Sequence, residues 1–476
     1  MAARHLTVYS DTTPSPGAAD GAAGRWRWST DAKLLPCPDG RYLIRNFANG
    51  VVIELEAAEG RLLTQVSGLA FAFQVPAGVP PELVDRLARQ KVLLPPDELP
   101  DYDDRVRTAI GRALERSHGL IIMPTGKCNY RCTYCYETFE QGRMTEASAD
   151  ALAKAIDRLA ASVDRFSLGF FGGEPLMCSD LVLRFSGRAF QSLSRRGLPY
   201  AAGISTNAHY LTPGLFEQLL DVGVVSFQIS IDGDRTLHDR QRVTVRGGPT
   251  FDRIVGHLRQ MADIPDDYAC IIRCNSRPED MERVMALFQG DELRFLRGDP
   301  RFLVDLHTIW SSDRKEVVDG LSEQSGCGSD VARPLDIYHY NRELEARGYR
   351  TAAYGHAPSS LSIACYAGKP NWFVVGPDLT LYKCTVVFDR EDNRVGKVLA
   401  DGSFALDQDK NQLWTGSNAQ TDASCGTCHL RVPCAGLACP LTRFTAGHKA
   451  CPDQKSIDRL RAWSLHRPTG EKPASV

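Results

Sequence analysis

The sequence predicts an α/β protein: parallel strands joined by helical crossovers, with a small α+β module in front and a cysteine-rich segment behind. Three observations carry this expectation. Between residues 119 and 310, six apolar runs alternate with amphipathic stretches of helical period. Ahead of them, two strand-like runs flank Asn49-Gly50. Behind them, seven of the fifteen cysteines fall between 365 and 451.

At about 150 residues per domain, 476 residues imply roughly three domains. A net charge of -2 with no long basic run gives little electrostatic support to a nucleic-acid or anionic-membrane partner. The N-terminus lacks the apolar core of a signal peptide, and no apolar run reaches the roughly 18 residues of a spanning helix. A cytoplasmic protein is expected. Cysteine is about 3% of the chain, below the roughly 8–10% of disulfide scaffolds, and the count is odd. In a reducing compartment, clustered cysteines read as metal or redox ligands. Ten fall in two clusters, at 128–135 and 365–451. Cys37, Cys178, Cys270, Cys274 and Cys327 are scattered and read as small buried apolar residues.

Along the chain, residues 1–30 are rich in Ala, Gly, Ser, Thr and Pro and read as a flexible tail. RYLIRNF (41–47) and VVIELEA (51–57) predict a hairpin turned at Asn49-Gly50. Pro80-Pro81 opens a helix with Leu83, Val84 and Leu87 on one face. These elements form a module over 31–105. The barrel-like series spans 115–310: GLIIMPT, RFSLGFFGG, YAAGISTNA, VVSFQISIDG, DYACIIRCN and RFLVDLHTI predict strands, with helices after Thr145, from about Ser179, over LTPGLFEQLLDVG, from about Thr250 and over PEDMERVMALF. Periodicity alone leaves open whether the sheet is flat or a partial barrel. Residues 311–362 read as a bridge, 363–455 as a turn- and cysteine-rich domain, and 456–476 as a C-terminal tail.

CNYRCTYCY (128–136) places Cys128, Cys132 and Cys135 just after the first strand, where α/β proteins bind ligands. Structural zinc takes four ligands, and no fourth Cys or His lies close, so three thiolates leave a position open. Cys128, Cys132, aromatic Tyr134 and Cys135 match CxxxCxΦC as they stand, and here the chain resembles the radical SAM family. The resemblance implies a partial (β/α)6 barrel. It also implies a 4Fe-4S cluster whose open iron chelates S-adenosyl-L-methionine and drives its cleavage to a 5′-deoxyadenosyl radical. Three further motifs resemble the family's strand-end ligands. Gly172, Gly173 and Glu174 match its GGEP segment, implied to hold the methionine amino group through exposed backbone and carboxylate. Ser205 and Asn207, in Ser205-Thr206-Asn207, and Ser230, in Ser230-Ile231-Asp232-Gly233, fall where the family contacts ribose and carboxylate. Arg242, in His238-Asp239-x-x-Arg242, falls where it pairs with the methionine carboxylate, and Tyr134 is implied to lie against the adenine.

Taken alone, Cys425-x2-Cys428-x5-Cys434-x4-Cys439 reads as a zinc ribbon. After the upstream motif, the series resembles the SPASM extension of radical SAM enzymes, which binds two auxiliary 4Fe-4S clusters, three clusters in all. Carried over, Cys425, Cys428, Cys434 and Cys451 hold the outer cluster, and Cys365, Cys384 and Cys439 the inner one. Its fourth ligand stays open between Cys327, a non-cysteine group and the substrate. Two departures stand out: the last gap, Ala435 to Ala438, is four residues where three is usual, and Leu379 stands where the family has glycine. The 31–105 module resembles the recognition element of ribosomal peptide (RiPP) pathways, with a leader peptide pairing along the hairpin edge.

The expected function is a peptide maturase: hydrogen abstraction from a ribosomal precursor, then a thioether or carbon-carbon crosslink. An electron donor such as a flavodoxin or ferredoxin is the second expected partner. A formylglycine-generating, sulfatase-maturase-like enzyme is the alternative. It is weakened because Thr385 stands where those enzymes carry Asp, although Asp389 lies four residues on. A zinc-stabilised, non-catalytic peptide-binding scaffold is a third reading.

Overall fold

The computed structural model describes residues 24–37, 39–309, 334–351 and 363–452. Most of the expected tail, Cys327, most of the 311–362 bridge and the 456–476 tail lie outside the described residues.

The N-terminal module contains β1 (Arg25–Trp28), β2 (Ala32–Pro36), β3 (Tyr42–Asn46), β4 (Val52–Leu55), α1 (Ala57–Thr64), β5 (Phe73–Gln74), α2 (Pro81–Arg89) and β6 (Leu93–Leu94). The expected hairpin is β3–β4, and β2 adds a third antiparallel strand. Its turn closes as expected: Gly50 takes φ of 78°, and the Asn49 side chain accepts the Val51 N–H at 3.0 Å. Trp28, Ile44, Ile53, Leu63, Val84 and Leu87 form a core of its own. One boundary is corrected. Arg25–Trp28, assigned to the tail by its neighbours' composition, is a strand paired with both β5 and β6, because Trp28 has a core to enter.

Between module and sheet runs α3 (Leu99–Arg116), a helix the sequence reading passed over. Its signal was present: Tyr102, Val106, Ile110 and Leu114 recur every four residues and are buried. They pack against Ala419, Val432, Ala435 and Leu437 of the cysteine-rich region.

The central part runs β7 (His118–Ile122), β8 (Tyr130–Cys132), α4 (Glu146–Ser162), β9 (Phe166–Phe170), α5 (Ser179–Arg195), β10 (Ala202–Thr206), α6 (Pro213–Asp221), β11 (Val224–Ser230), α7 (Arg235–Gln241), β12 (Arg242–Thr244), α8 (Phe251–Asp263), β13 (Ala269–Ser276), α9 (Met281–Gln289) and β14 (Phe302–Thr308). All six expected strands form, and all are parallel. Thr145 and Thr212 start α4 and α6 by accepting backbone N–H groups with their hydroxyls. The spatial order β7-β9-β10-β11-β13-β14 follows the chain without reversal. Right-handed crossovers in one direction put every helix on the same side, as in a barrel wall; a doubly wound sheet reverses. The fold is a mixed α/β partial barrel. Buried residues alternate along β13, with Cys270, Ile272 and Cys274 toward the helices and Arg273 and Asn275 toward the open face.

The cysteine-rich region shares this sheet. β15 (Asn371–Val375) lies parallel beside β7, and β16 (Thr380–Tyr382), β17 (Arg394–Val398) and β18 (Phe404–Leu406) continue antiparallel to make ten strands. Gly119 permits the join: a Cβ there would stand 2.7 Å from the Trp372 ring.

Module, α3 and cysteine-rich region meet at one buried ion pair. Arg431, 6% exposed at its side chain, meets both oxygens of Asp31 at 2.8 Å and Asp103 at 2.6 Å. Asp31 has no exposed surface and also accepts the Tyr102 hydroxyl at 2.9 Å. Burial opposes the Arg431 charge, but the two carboxylates more than offset it and hold its pKa above the ordinary value. Arg431→Ala would leave Asp31 buried without its cation. The expected loss is about 3–5 kcal/mol, read as an earlier midpoint in chemical denaturation.

Candidate active site and auxiliary cysteine sites

The cysteine loop leaves β7 at the carboxyl end of the parallel sheet and returns as β8, which pairs with β12 so that Cys132 stands opposite Arg242. Its path is fixed from below by the two glycines. A Cβ at Gly172, whose φ is 119°, would stand 2.6 Å from the Thr125 carbonyl, and one at Gly173 would collide with the Lys127 carbonyl. Both glycines therefore serve close approach, but to the loop that carries Cys128. Gly172 is buried and Gly173 half-buried against that loop.

Glu174 is likewise turned inward, 1% exposed. Its carboxylate accepts from Leu176 N–H at 2.9 Å, the Thr206 hydroxyl at 2.7 Å and Asn207 N–H at 2.7 Å. Burial raises its pKa, and these three donors oppose the rise. It thus ties the ends of β9 and β10 together beneath the cysteines. Asn207 extends the tie: its side-chain amide donates to Asn129 Oδ1 at 2.8 Å and lies 3.8 Å from Cys128 Sγ. Ser205, on β10, and Ser230, ending β11, are half-buried and face the open side of the sheet. Ser205 accepts from Gln228 at 3.5 Å.

On the other side of the loop, Tyr134 donates to Asp232 at 2.5 Å and accepts from Arg242 at 2.6 Å and Asn275 at 3.2 Å. Asp232 is fully buried, 3.7 Å from Arg242, and accepts from the Asn275 backbone and side chain. Burial pushes the Asp232 carboxyl up, and Arg242 pulls it back in part; burial also opposes the Arg242 charge, which Cys132, Tyr134 and Asp232 outweigh. We treat the pair as ionised, since Asp232 has donors on both oxygens. Arg242 Nε is buried without a partner among the described residues, as is the side-chain amide nitrogen of Asn129. Asn275 was not named from sequence; Asp232 and His238 stood inside the quoted motifs without a role of their own. His238 is neutral by geometry. Its Nδ1 accepts the Asp232 N–H at 3.3 Å, while Nε2 faces Thr250, whose hydroxyl donates onward to the Arg242 carbonyl.

The three thiols form one electrostatic group. Burial raises Cys128 to about 11, with Cys132 adding to the rise, and raises Cys135 to about 12, with Cys132 and Cys128 adding. Neutral protein is a poor home for three thiolates; a cationic iron centre reverses that balance. The donor set therefore fits a cluster.

The other seven cysteines fall into two groups. Cys434, raised by burial to about 11, responds to Cys425, Cys428 and Cys451. Cys365 and Cys384, raised by burial to about 11 and about 12, respond to each other's neighbourhood through Cys439. Between Cys434 and Cys439, Ala435 and Gly436 both take left-handed φ, 53° and 73°, and turn the chain from one group to the other. Leu379, standing for the family's glycine, takes φ of 69°, a strain of order 1–3 kcal/mol for a side-chain-bearing residue. Thr385 is joined to Tyr366, its hydroxyl and N–H both 2.9 Å from the Tyr366 oxygen, and Asp389 is exposed. Among the described residues, no three His, Cys, Asp or Glu are arranged around a single ion. Cys37, Cys178, Cys270 and Cys274 are buried in the interior.

Residues 122–288 match the radical SAM superfamily. The chain carries a radical SAM domain. Members of that superfamily are enzymes, and the match covers the cysteine loop, the two glycines, Glu174, Asp232 and Arg242. An uncharacterized protein of Methanocaldococcus jannaschii is 27% identical over 180 residues, 37% of this chain and 61% of the relative. One of Synechocystis is 30% identical over 142 residues, 27% of this chain and 33% of the relative. The likeness thus spans 61% and 33% of these relatives' lengths. In fold, the chain resembles the solved structure of anSMEcpe with bound AdoMet, at a TM-score of 0.50 and 16% identity, over 73% of this chain and 93% of that one. No helix of the described residues is long and apolar enough to cross a membrane.

Two outcomes are expected of the radical SAM domain. Gly173→Ala drives a methyl into the Lys127 carbonyl and displaces Cys128; iron content should fall by about four per chain, one 4Fe-4S cluster, with S-adenosylmethionine cleavage lost. His238 is held well below its usual pKa, first by burial and then by Arg242. A depressed folded pKa stabilises above the unfolded value and loses that contribution as pH falls below about 6.5. The stability gap between wild type and His238→Gln should therefore narrow below that pH, by up to about 1.4 kcal/mol per unit in denaturant titrations.

Proposed function

We propose that this protein is a radical SAM peptide maturase that forms a thioether or carbon-carbon crosslink in a ribosomal precursor. The observation that carries the reading is the convergence of Cys128, Cys132 and Cys135 with an unpartnered Arg242 Nε at the carboxyl ends of parallel strands. Cys128, Cys132 and Cys135 would hold a 4Fe-4S cluster, with S-adenosyl-L-methionine bound beside it. Arg242, kept charged and fixed by Asp232 and Tyr134, would offer its unpartnered Nε–H to the cofactor's carboxylate, as a planar guanidinium suits. Asn129 and Asn207 stand beside Cys128, and Ser205 and Ser230, half-buried at their strand ends, would face the ribose.

When bound, the cluster and S-adenosyl-L-methionine supply the one-electron cleavage that yields the hydrogen-abstracting 5′-deoxyadenosyl radical. Cys425, Cys428, Cys434 and Cys451 would hold an outer auxiliary cluster, and Cys365, Cys384 and Cys439 an inner one, giving three clusters. Those clusters suit the removal of an electron from a carbon-centred product radical. The paired antiparallel sheet of the N-terminal module offers a strand edge for a leader peptide, and a flavodoxin or ferredoxin suits the one-electron supply. The formylglycine alternative has less support: Thr385 is bonded to Tyr366, and Asp389 lies exposed four residues away.

Anaerobically prepared protein should contain about twelve irons per chain, four for each 4Fe-4S cluster, and little zinc. Replacing Cys128, Cys132 and Cys135 with Ala should remove about four irons and abolish 5′-deoxyadenosine formation. Co-expression with small neighbouring open reading frames should give a peptide lighter by two hydrogens per bond, with a fragmentation gap. A hydrazide should not capture it. Capture would point to formylglycine, and zinc in place of iron to a non-catalytic scaffold.

A further inference from the structure

Arg431 lies between Cys428 and Cys434, and its guanidinium reaches in two directions. Toward the N-terminal module it meets both oxygens of Asp31 and, on α3, Asp103. Toward the cysteines its Nη1 reaches the Gly426 carbonyl at 3.4 Å, inside the turn that joins Cys425 to Cys428. Its backbone belongs to the same structure. Arg431 N–H donates to the Cys428 carbonyl at 2.9 Å, and its own carbonyl accepts from Ala435 at 3.0 Å. One residue earlier, Leu430 N–H points at Cys428 Sγ at 3.4 Å. The contact continues in packing: the Phe47 ring lies 5.0 Å from that of His429, and Ala48 joins Val432 and Ala435 in one apolar cluster.

We propose that Asp31 is a positioning residue of the outer auxiliary cluster, so that the N-terminal module is a built part of that site. This rests on the reading that Cys425, Cys428, Cys434 and Cys451 hold a 4Fe-4S cluster. The physical reason is the burial of Arg431. A guanidinium that loses its bidentate carboxylate inside protein moves toward water. Arg431 is three residues from two ligand cysteines and bonded to the turn between two, so its movement carries the Leu430 N–H away from Cys428. Hydrogen bonds to cluster sulfurs and partners behind the ligands set both retention and reduction potential. Asp31 lies some 400 residues from Arg431 in sequence, so the module closes this site by folding onto it.

The test uses full-length protein reconstituted anaerobically. Replacing Cys425, Cys428, Cys434 and Cys451 with Ala identifies the outer cluster's signal in electron paramagnetic resonance; replacing Cys128, Cys132 and Cys135 identifies the first cluster's. In Asp31→Asn, the outer signal should shift in midpoint potential, and its iron should be stripped by a chelator about 10-fold more readily, the scale of effects seen behind metal ligands. Asp31→Glu should restore part of both, and the first cluster's potential should stay where it is. Asp103→Asn removes a partly exposed carboxylate and leaves the buried pair, so it should fold and show a smaller shift of the same sign. An outer signal unmoved in Asp31→Asn, or in Asp103→Asn should the first variant not fold, overturns the proposal. So does equal loss of every signal in a variant that still folds. If the four-cysteine variant keeps its full iron, the outer-cluster reading falls and this proposal with it, a result separate from an unmoved signal.

Discussion

Arg242 is a permanent charge with 6% of its surface exposed, and a buried guanidinium needs a counter-charge held in place. Asp232 comes from the end of β11, Asn275 from β13, Tyr134 from the cysteine loop, and His238 holds the Asp232 backbone from α7. Because Arg242 also faces Cys132 across the β8–β12 ribbon, satisfying its charge pins the loop to two strand ends. Glu174 acts from the opposite side, tying β9 to β10 under Cys128. The cysteine loop is thus suspended between a buried cation and a buried anion.

The same two charges divide the electrostatics of the thiols. Beyond burial, Glu174 raises the Cys128 pKa and Arg242 lowers it. A cluster placed here meets a fixed field with sign and direction, set by groups whose hydrogen bonds are already made. Such groups do not reorganise when charge moves, which is what preorganisation means for a redox site.

Much of this was legible in the sequence. The six strands were readable since each is a short apolar run bounded by Gly, Asn or Asp, and Thr145 and Thr212 marked helix starts because a hydroxyl before an apolar period has one common use. The cysteines were readable because spacing survives in one dimension. Partner choice at long range was not. Nothing in NWFVV says that it will lie beside GLII, and nothing marks Asp31 as the partner of Arg431. Gly172 and Gly173 were recognised as positions of close approach, but whether a ligand or the chain's own loop would occupy the space is a three-dimensional fact. Arg25–Trp28 was lost in a polar, Ala- and Gly-rich neighbourhood, and α3 was passed over although its four-residue period was plain.

The pairing of β15 with β7 sets a condition on how the chain reaches this state. Asn371 reaches back to the Glu115 carbonyl across 256 residues, the register that fixes the first strand of the barrel. Until that late segment has been synthesised, β7 has a neighbour on one side only, and the apolar edge of Leu120 to Ile122 stands open. Loops of that length are closed last, and open parallel edges invite other chains while they wait. The enzyme's first strand is therefore among the last to be sealed, and the interval before sealing is when a growing chain is most exposed to misassembly.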